Sequence, residues 1–186
     1  MNAATIAIVL VVGIIVGVGI AYLFQRNRSM RLRKRFGPEY AHTVAETGDR
    51  WRAESALEHR AKRVDRFHVS SLTPAERQHF REAWHEVQGR FVDDPMGSLV
   101  EADRLIARVM SAEGYPVADF EQRAADISVD HPEVVENYRG GHRVVLKEAQ
   151  AGGDNTEDLR QGMIHYRIVF EDLLGQPEYS QTGRTV

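Results

Sequence analysis

The chain has no cysteine. That excludes a disulfide framework, a thiolate nucleophile and any Cys-ligated zinc or iron–sulfur site. Lysine is scarce: only Lys34, Lys62 and Lys147 stand among the 24 basic side chains. No stretch alternates apolar and polar residues between turn signals, which argues against strands. There is no fixed-period repeat and no HExxH. "RGGH" and "AGGD" lack both the lysine and the preceding strand that a phosphate loop needs. No nucleophile elbow is present. These absences leave no metal and no cofactor to expect.

Acidic residues are missing from one region altogether. The first 35 positions contain none, while Arg26, Arg28, Arg31, Arg33, Lys34 and Arg35 fall close together. Those six leave 18 basic residues against 27 acids from Phe36 onward, so the body carries nine net negative charges. Such a body repels phosphate backbones, and no nucleic-acid partner is expected.

What the first region does have is a long apolar run. "ATIAIVLVVGIIVGVGIAYLF", Ala4 to Phe24, carries no charge. As a helix it is roughly 30 Å long, the thickness of a hydrocarbon core. A cleaved signal peptide would have a positive start, a shorter apolar stretch and a small-x-small exit. The run has none of these, so it reads as a single retained transmembrane helix. The basic cluster follows it directly. Positive-inside logic places the N-terminus outside and the domain in the cytoplasm, anchored to a bacterial inner membrane. The alternative is a secreted or extracytoplasmic domain after cleavage. The six basic residues suit contact with lipid headgroups. Gly13 and Gly17 form a GxxxG pair that suits a homodimer, although glycine is common in such helices anyway.

The remaining chain reads as helices between capped turns. Residues 38–70 give a long polar helix or linker beginning at Pro38, with Gly48 as a candidate interruption. "LTPAER" is a capping box at Thr73 and Glu76, and Phe80, Trp84, Val87 and Phe91 follow on one face. Asp94 before Pro95 reads as the next N-cap, with Leu99, Ala102, Ile106 and Val109 inward and Gly114 closing the helix. A short helix around "ADFEQRAADI" comes next. Asp130 and Glu133 around Pro132 then read as a third cap, starting a helix with Val135, Tyr138 and His142 inward. Asn155 or Thr156 caps the last helix, with Leu159, Met163, Tyr166, Phe170 and Leu173 inward. The expected organisation is an anchor (1–25), a basic juxtamembrane segment (26–37), the polar helix (38–70), a helical domain (71–175) and a disordered tail (176–186). The fold class is all-α, with a bundle of about five helices.

Some residues outlast this structural reading. Asp93 and Asp94 form an acidic pair, one of which caps. Asp130 and His131 stand side by side. Tyr115, Tyr138, Arg139, His165 and Arg167 complete the candidate ligand or partner surface. Arg139 and Arg167 also suit ion pairs to Asp93, Asp126 or Asp130. Gly140 and Gly141 lie inside a helix at about 1 kcal/mol each against Ala, which implies close packing or room for a ligand. No catalytic constellation emerges. The leading expectation is a membrane-tethered interaction domain with a protein partner. The alternative is a small-ligand binder or enzyme using the acidic inter-helix loops.

Four strings, "LTPAER", "RFVDDP", "GYPVADFEQRAADISVDHPEVVENYR" and "TEDLRQGMIHYRIVFEDLL", resemble a family of bacterial membrane-anchored all-α proteins, often labelled hypothetical or secreted. The resemblance spans roughly residues 36 to 174. It implies no activity, ligand or catalytic residue. The uncleaved anchor departs from the secreted label.

Overall fold

The computed structural model describes residues 3–152 and 155–175, with side chains from residue 12 onward. Among them are seven helices and no strand: α1 (Ala3–Thr47), α2 (Arg50–Val64), α3 (Pro74–Arg90), α4 (Pro95–Glu113), α5 (Phe120–Asp130), α6 (Val135–Ala151) and α7 (Thr156–Leu173). The chain divides into two units, Met1–Glu58 and His59–Val186. The tail expected to be disordered, 176–186, lies outside the described residues.

In the first unit, α1 bends at Gly37 (φ 44°, ψ −124°), directly before Pro38. Gly48 stops it at φ 65°, a value that a side chain disfavours. Asp49 then caps α2 by accepting from the Arg52 N–H at 2.8 Å. Leu32, Phe36 and Tyr40 of α1 are buried, as are Ala53 and Leu57 of α2.

The transmembrane helix expected over Ala4 to Phe24 is not supported as such. Among the described residues no helix is long and apolar enough to cross a membrane. The run falls partly on residues 1–11, whose side chains lie outside the described ones. What remains, Val12 to Phe24, reaches only about 20 Å before Gln25 and Arg26 begin the polar part.

The second unit is built around α4, which packs on α3, α6 and α7. Thr73 and Glu76 close the capping box on α3, and Phe80, Trp84 and Val87 form its buried face. Asp94 caps α4 through the Gly97 N–H at 2.9 Å. Leu99, Ala102, Leu105, Ile106 and Val109 are wholly buried along it. Trp84 stacks on Phe170, centroids 4.6 Å apart, which joins α3 to α7.

The paired glycines of α6 have a definite cause. A Cβ at Gly141 would sit 2.5 Å from the Tyr166 ring, and one at Gly140 would sit 3.1 Å from the His165 ring. The room is filled by α7, so the glycines serve close helix packing and leave no space there for a ligand.

The third expected cap is not one. Asp119 caps α5, which runs three residues further than its apolar pattern suggests, to Asp130. His131 is its C-cap, and α6 starts at Val135 with no side-chain cap bond. Pro132 is the reason: it disfavours helical backbone at the residue before it and halts α5 at His131.

Candidate functional site

Three helices end at one place in the second unit. Glu113 is the last residue of α4, Asp130 the last of α5, and Asp172 lies one residue from the end of α7. With Tyr115, His131 and Arg77 they line a cleft of about 320 Å³. Helix C-termini carry partial negative charge and favour basic side chains. None of these three helices has a basic residue in its last turn.

The floor is buried and the rim is open. Glu113 is 7% exposed and Tyr115 is 3% exposed. The Tyr115 hydroxyl donates to Asp130 at 2.8 Å. His131 Nδ1 meets Asp172 Oδ2 at 2.6 Å, and this pair is partly exposed. Glu113 Oε2 is buried with no hydrogen-bond partner. The loop before α3 is held here too, because the Ser70 N–H donates to the Glu113 carbonyl at 2.8 Å.

Electrostatics follow from that placement. Burial pushes the Glu113 carboxyl up to about 7; the His131 charge opposes this, while Asp130 and Asp172 add to it. Burial alone would lower His131, but its bond to Asp172 and the surrounding carboxylates reverse this and raise it. Burial raises the Tyr115 phenol, as does its bond to Asp130. The cleft therefore holds a carboxyl that exchanges its proton near neutrality beside an imidazole held toward its charged form. That arrangement suits binding a hydrogen-bond donor and trading a proton.

Of the residues singled out from sequence, Tyr115, Asp130 and His131 meet in this cleft. The others lie elsewhere. Asp93 and Asp94 sit on the exposed turn before α4, and Asp94 is its cap. Tyr138 is buried and accepts from Arg123 Nε at 2.8 Å. The Arg123 guanidinium also donates to Asp103 at 3.0 Å, binding α4, α5 and α6 together. His165 Nδ1 is 2.9 Å from Asn137 Oδ1. Arg167 pairs with Glu171 on its own helix at 2.6 Å, and Asp126 takes Arg63 at 3.1 Å. Those pairs displace the ones expected of Arg167 and Asp126. Arg139 sits on α6 and is not among the residues lining the cleft.

Glu113 and Asp172 were not singled out from sequence. A signal for them existed: each is an acid in the last turn of a helix, where the dipole opposes it. Three Glu-x-x-His spacings, Glu39 to His42, Glu76 to His79 and Glu82 to His85, also occur in the chain. Among the described residues no three His, Asp or Glu side chains stand together as a metal site.

A second hollow, of about 580 Å³, lies between α3 and α7. The Trp84 and Phe170 rings line it, with Arg81, His85, Gln88, Arg167 and Glu171 around them.

In the first unit the basic residues are unequal. Arg28 forms two bonds to Glu58, at 2.6 and 2.9 Å, and lies over the Trp51 ring. Arg33 lies over the Tyr40 ring. Gly13 and Gly17 have no neighbour against which a Cβ would press.

Comparison with family models, with curated proteins and with solved structures finds nothing that matches this chain.

Proposed function

We propose that the protein is a membrane-tethered helical domain that acts by binding a protein partner. One observation carries the tether. Val12, Ile14, Ile15, Val16, Val18, Ile20, Tyr22, Leu23 and Phe24 are each more than half exposed on α1. They cover the helix on all sides, and water is a costly surrounding for such a surface. The sequence adds Ala4 to Val11 to the same uncharged run. Basic residues follow at once, which favours a cytoplasmic domain and lipid headgroups for the basic side chains not drawn into pairs. The bare strip at Gly13 and Gly17 suits close approach of a second copy.

The partner-binding part of the reading is supported by the hollow between α3 and α7, which is rimmed by side chains of both charge signs. Extraction of native membranes with alkaline carbonate tests the tether. The full chain is expected to stay with the lipid, and a chain lacking residues 1–25 to be released. Recovery of the full chain in the supernatant would overturn it. A photo-crosslinking residue at Gln88, with the tether intact, tests the partner. One specific crosslinked species is expected, and its loss on Arg81→Glu at the rim. Crosslinks that persist unchanged in that variant would contradict the reading.

A further inference from the structure

The geometry points to the cleft at Glu113 and Asp172 as a binding site for a primary ammonium group. The inference does not depend on tethering. It rests first on Glu113, which lines the cleft, is 7% exposed, and has an Oε2 without a hydrogen-bond partner. A buried acceptor left unmatched costs free energy, and an incoming donor offsets that cost. Second, Asp130 and Asp172 stand at the rim of the same cleft, so three carboxyl groups line it. Third, α4, α5 and α7 all end here, and the negative ends of three helices reinforce the preference for a cation.

The opposing charges are few. His131 is engaged by Asp172, and Arg77 is the other cation lining the cleft. A carboxylate or phosphate ligand would face three carboxyls. A quaternary ammonium has the right charge but no N–H to give to Glu113. A primary ammonium has both. The cleft volume of about 320 Å³ admits a small amine or the end of a lysine side chain.

Binding then links to protons. The ammonium favours ionised Glu113, so the carboxyl releases a proton to solvent as the ligand enters. The groups facing it are Arg77 from α3, Tyr115 from the turn after α4, Asp130 and His131 from the end of α5, and Asp172 from α7. Tyr115 stays neutral, because burial and its bond to Asp130 push its phenol up. His131 loses charge as pH rises, which also favours a cation. Affinity therefore grows with pH through neutrality.

The test uses the full chain in uncharged detergent micelles with glutamate labelled in its carboxyl carbon. Ethylammonium is the probe. Tetramethylammonium is the control for charge alone, and Nα-acetyl-lysine amide carries the same group on a protein-like stem. Ethylammonium is expected to shift the Glu113 resonance saturably, about tenfold more tightly at pH 8 than at pH 6. A preference of about tenfold over tetramethylammonium is expected from the added hydrogen bond. Glu113→Gln should lose about tenfold in affinity, while Glu157→Gln at the start of α7 should lose nothing. Tighter binding of the lysine derivative would assign the source to a protein side chain, and tighter binding of ethylammonium to a free amine. Equal response to tetramethylammonium, or an affinity indifferent to pH, would overturn the inference. Should Glu113→Gln fail to fold, those two wild-type readings decide alone.

Discussion

Glu54 in the first unit and Glu113 in the second are both buried glutamates, and their surroundings differ in kind. Oε1 of Glu54 accepts from Ser29 at 2.6 Å, Tyr40 at 2.8 Å and Arg50 at 3.0 Å. Burial works to raise its pKa, and those three donors outweigh it and lower it. Glu113 has no such donors, and burial pushes it up to about 7. Glu54 is a fastener between two helices. Glu113 is a buried carboxyl with only the His131 charge to offset its own, and a group held at a cost to stability is a candidate for function.

The signs of their pH dependence are opposite. A lowered folded pKa means that Glu54 stabilises above the ordinary carboxylate range, and that this is lost as pH falls through its lowered value. A raised folded pKa means that Glu113 favours the protonated fold. Its burden is absent below the ordinary 4.5, grows as pH rises toward about 7, and is complete above that. His131 acts in the same direction as Glu113. Its raised value gives stability that is full below its ordinary 6.5 and is lost as pH rises through the raised one.

The contrast can be broken by substitution, and the effects scale with how much each change leaves unmatched. Glu54→Leu should cost about 4 kcal/mol, because two buried hydroxyl donors lose their acceptor at about 1–3 kcal/mol each. Urea midpoints followed by hydrogen exchange in α2 would register it. Glu113→Gln should do the reverse at pH 8, raising stability by about 3 kcal/mol through removal of the buried charge. At pH 4 the same variant should come close to the wild type. A loss at both pH values would mean that Glu113 is a fastener like Glu54. Gly141→Ala presses a methyl into the Tyr166 ring and should cost about 2 kcal/mol, read as a lower melting temperature. Thr73→Ala removes a cap and should cost about 1 kcal/mol.

These two glutamates also show what could be read from sequence. The caps at Thr73 and Asp94 were legible because each is a local device, closed within three residues. The glycine pair of α6 announced a close approach, though not that Tyr166 and His165 occupy the space. Asp130 misled because the same string of acid and proline that opens α4 here closes α5. Its carboxylate goes to Tyr115, in the turn after α4. The meeting of Glu113, His131 and Asp172 is tertiary. It depends on three helices stopping at one level, and no spacing in the chain encodes that. The acids in the last turns were the residual clue, since each sits where its own helix disfavours it.

Of all these measurements, the titration of the Glu113 carboxyl in the unliganded full chain bears most directly on the account. Carbon-detected NMR on wild type and Glu113→Gln assigns the resonance. The account predicts a midpoint of about 7, and a midpoint near the ordinary 4.5 would contradict it.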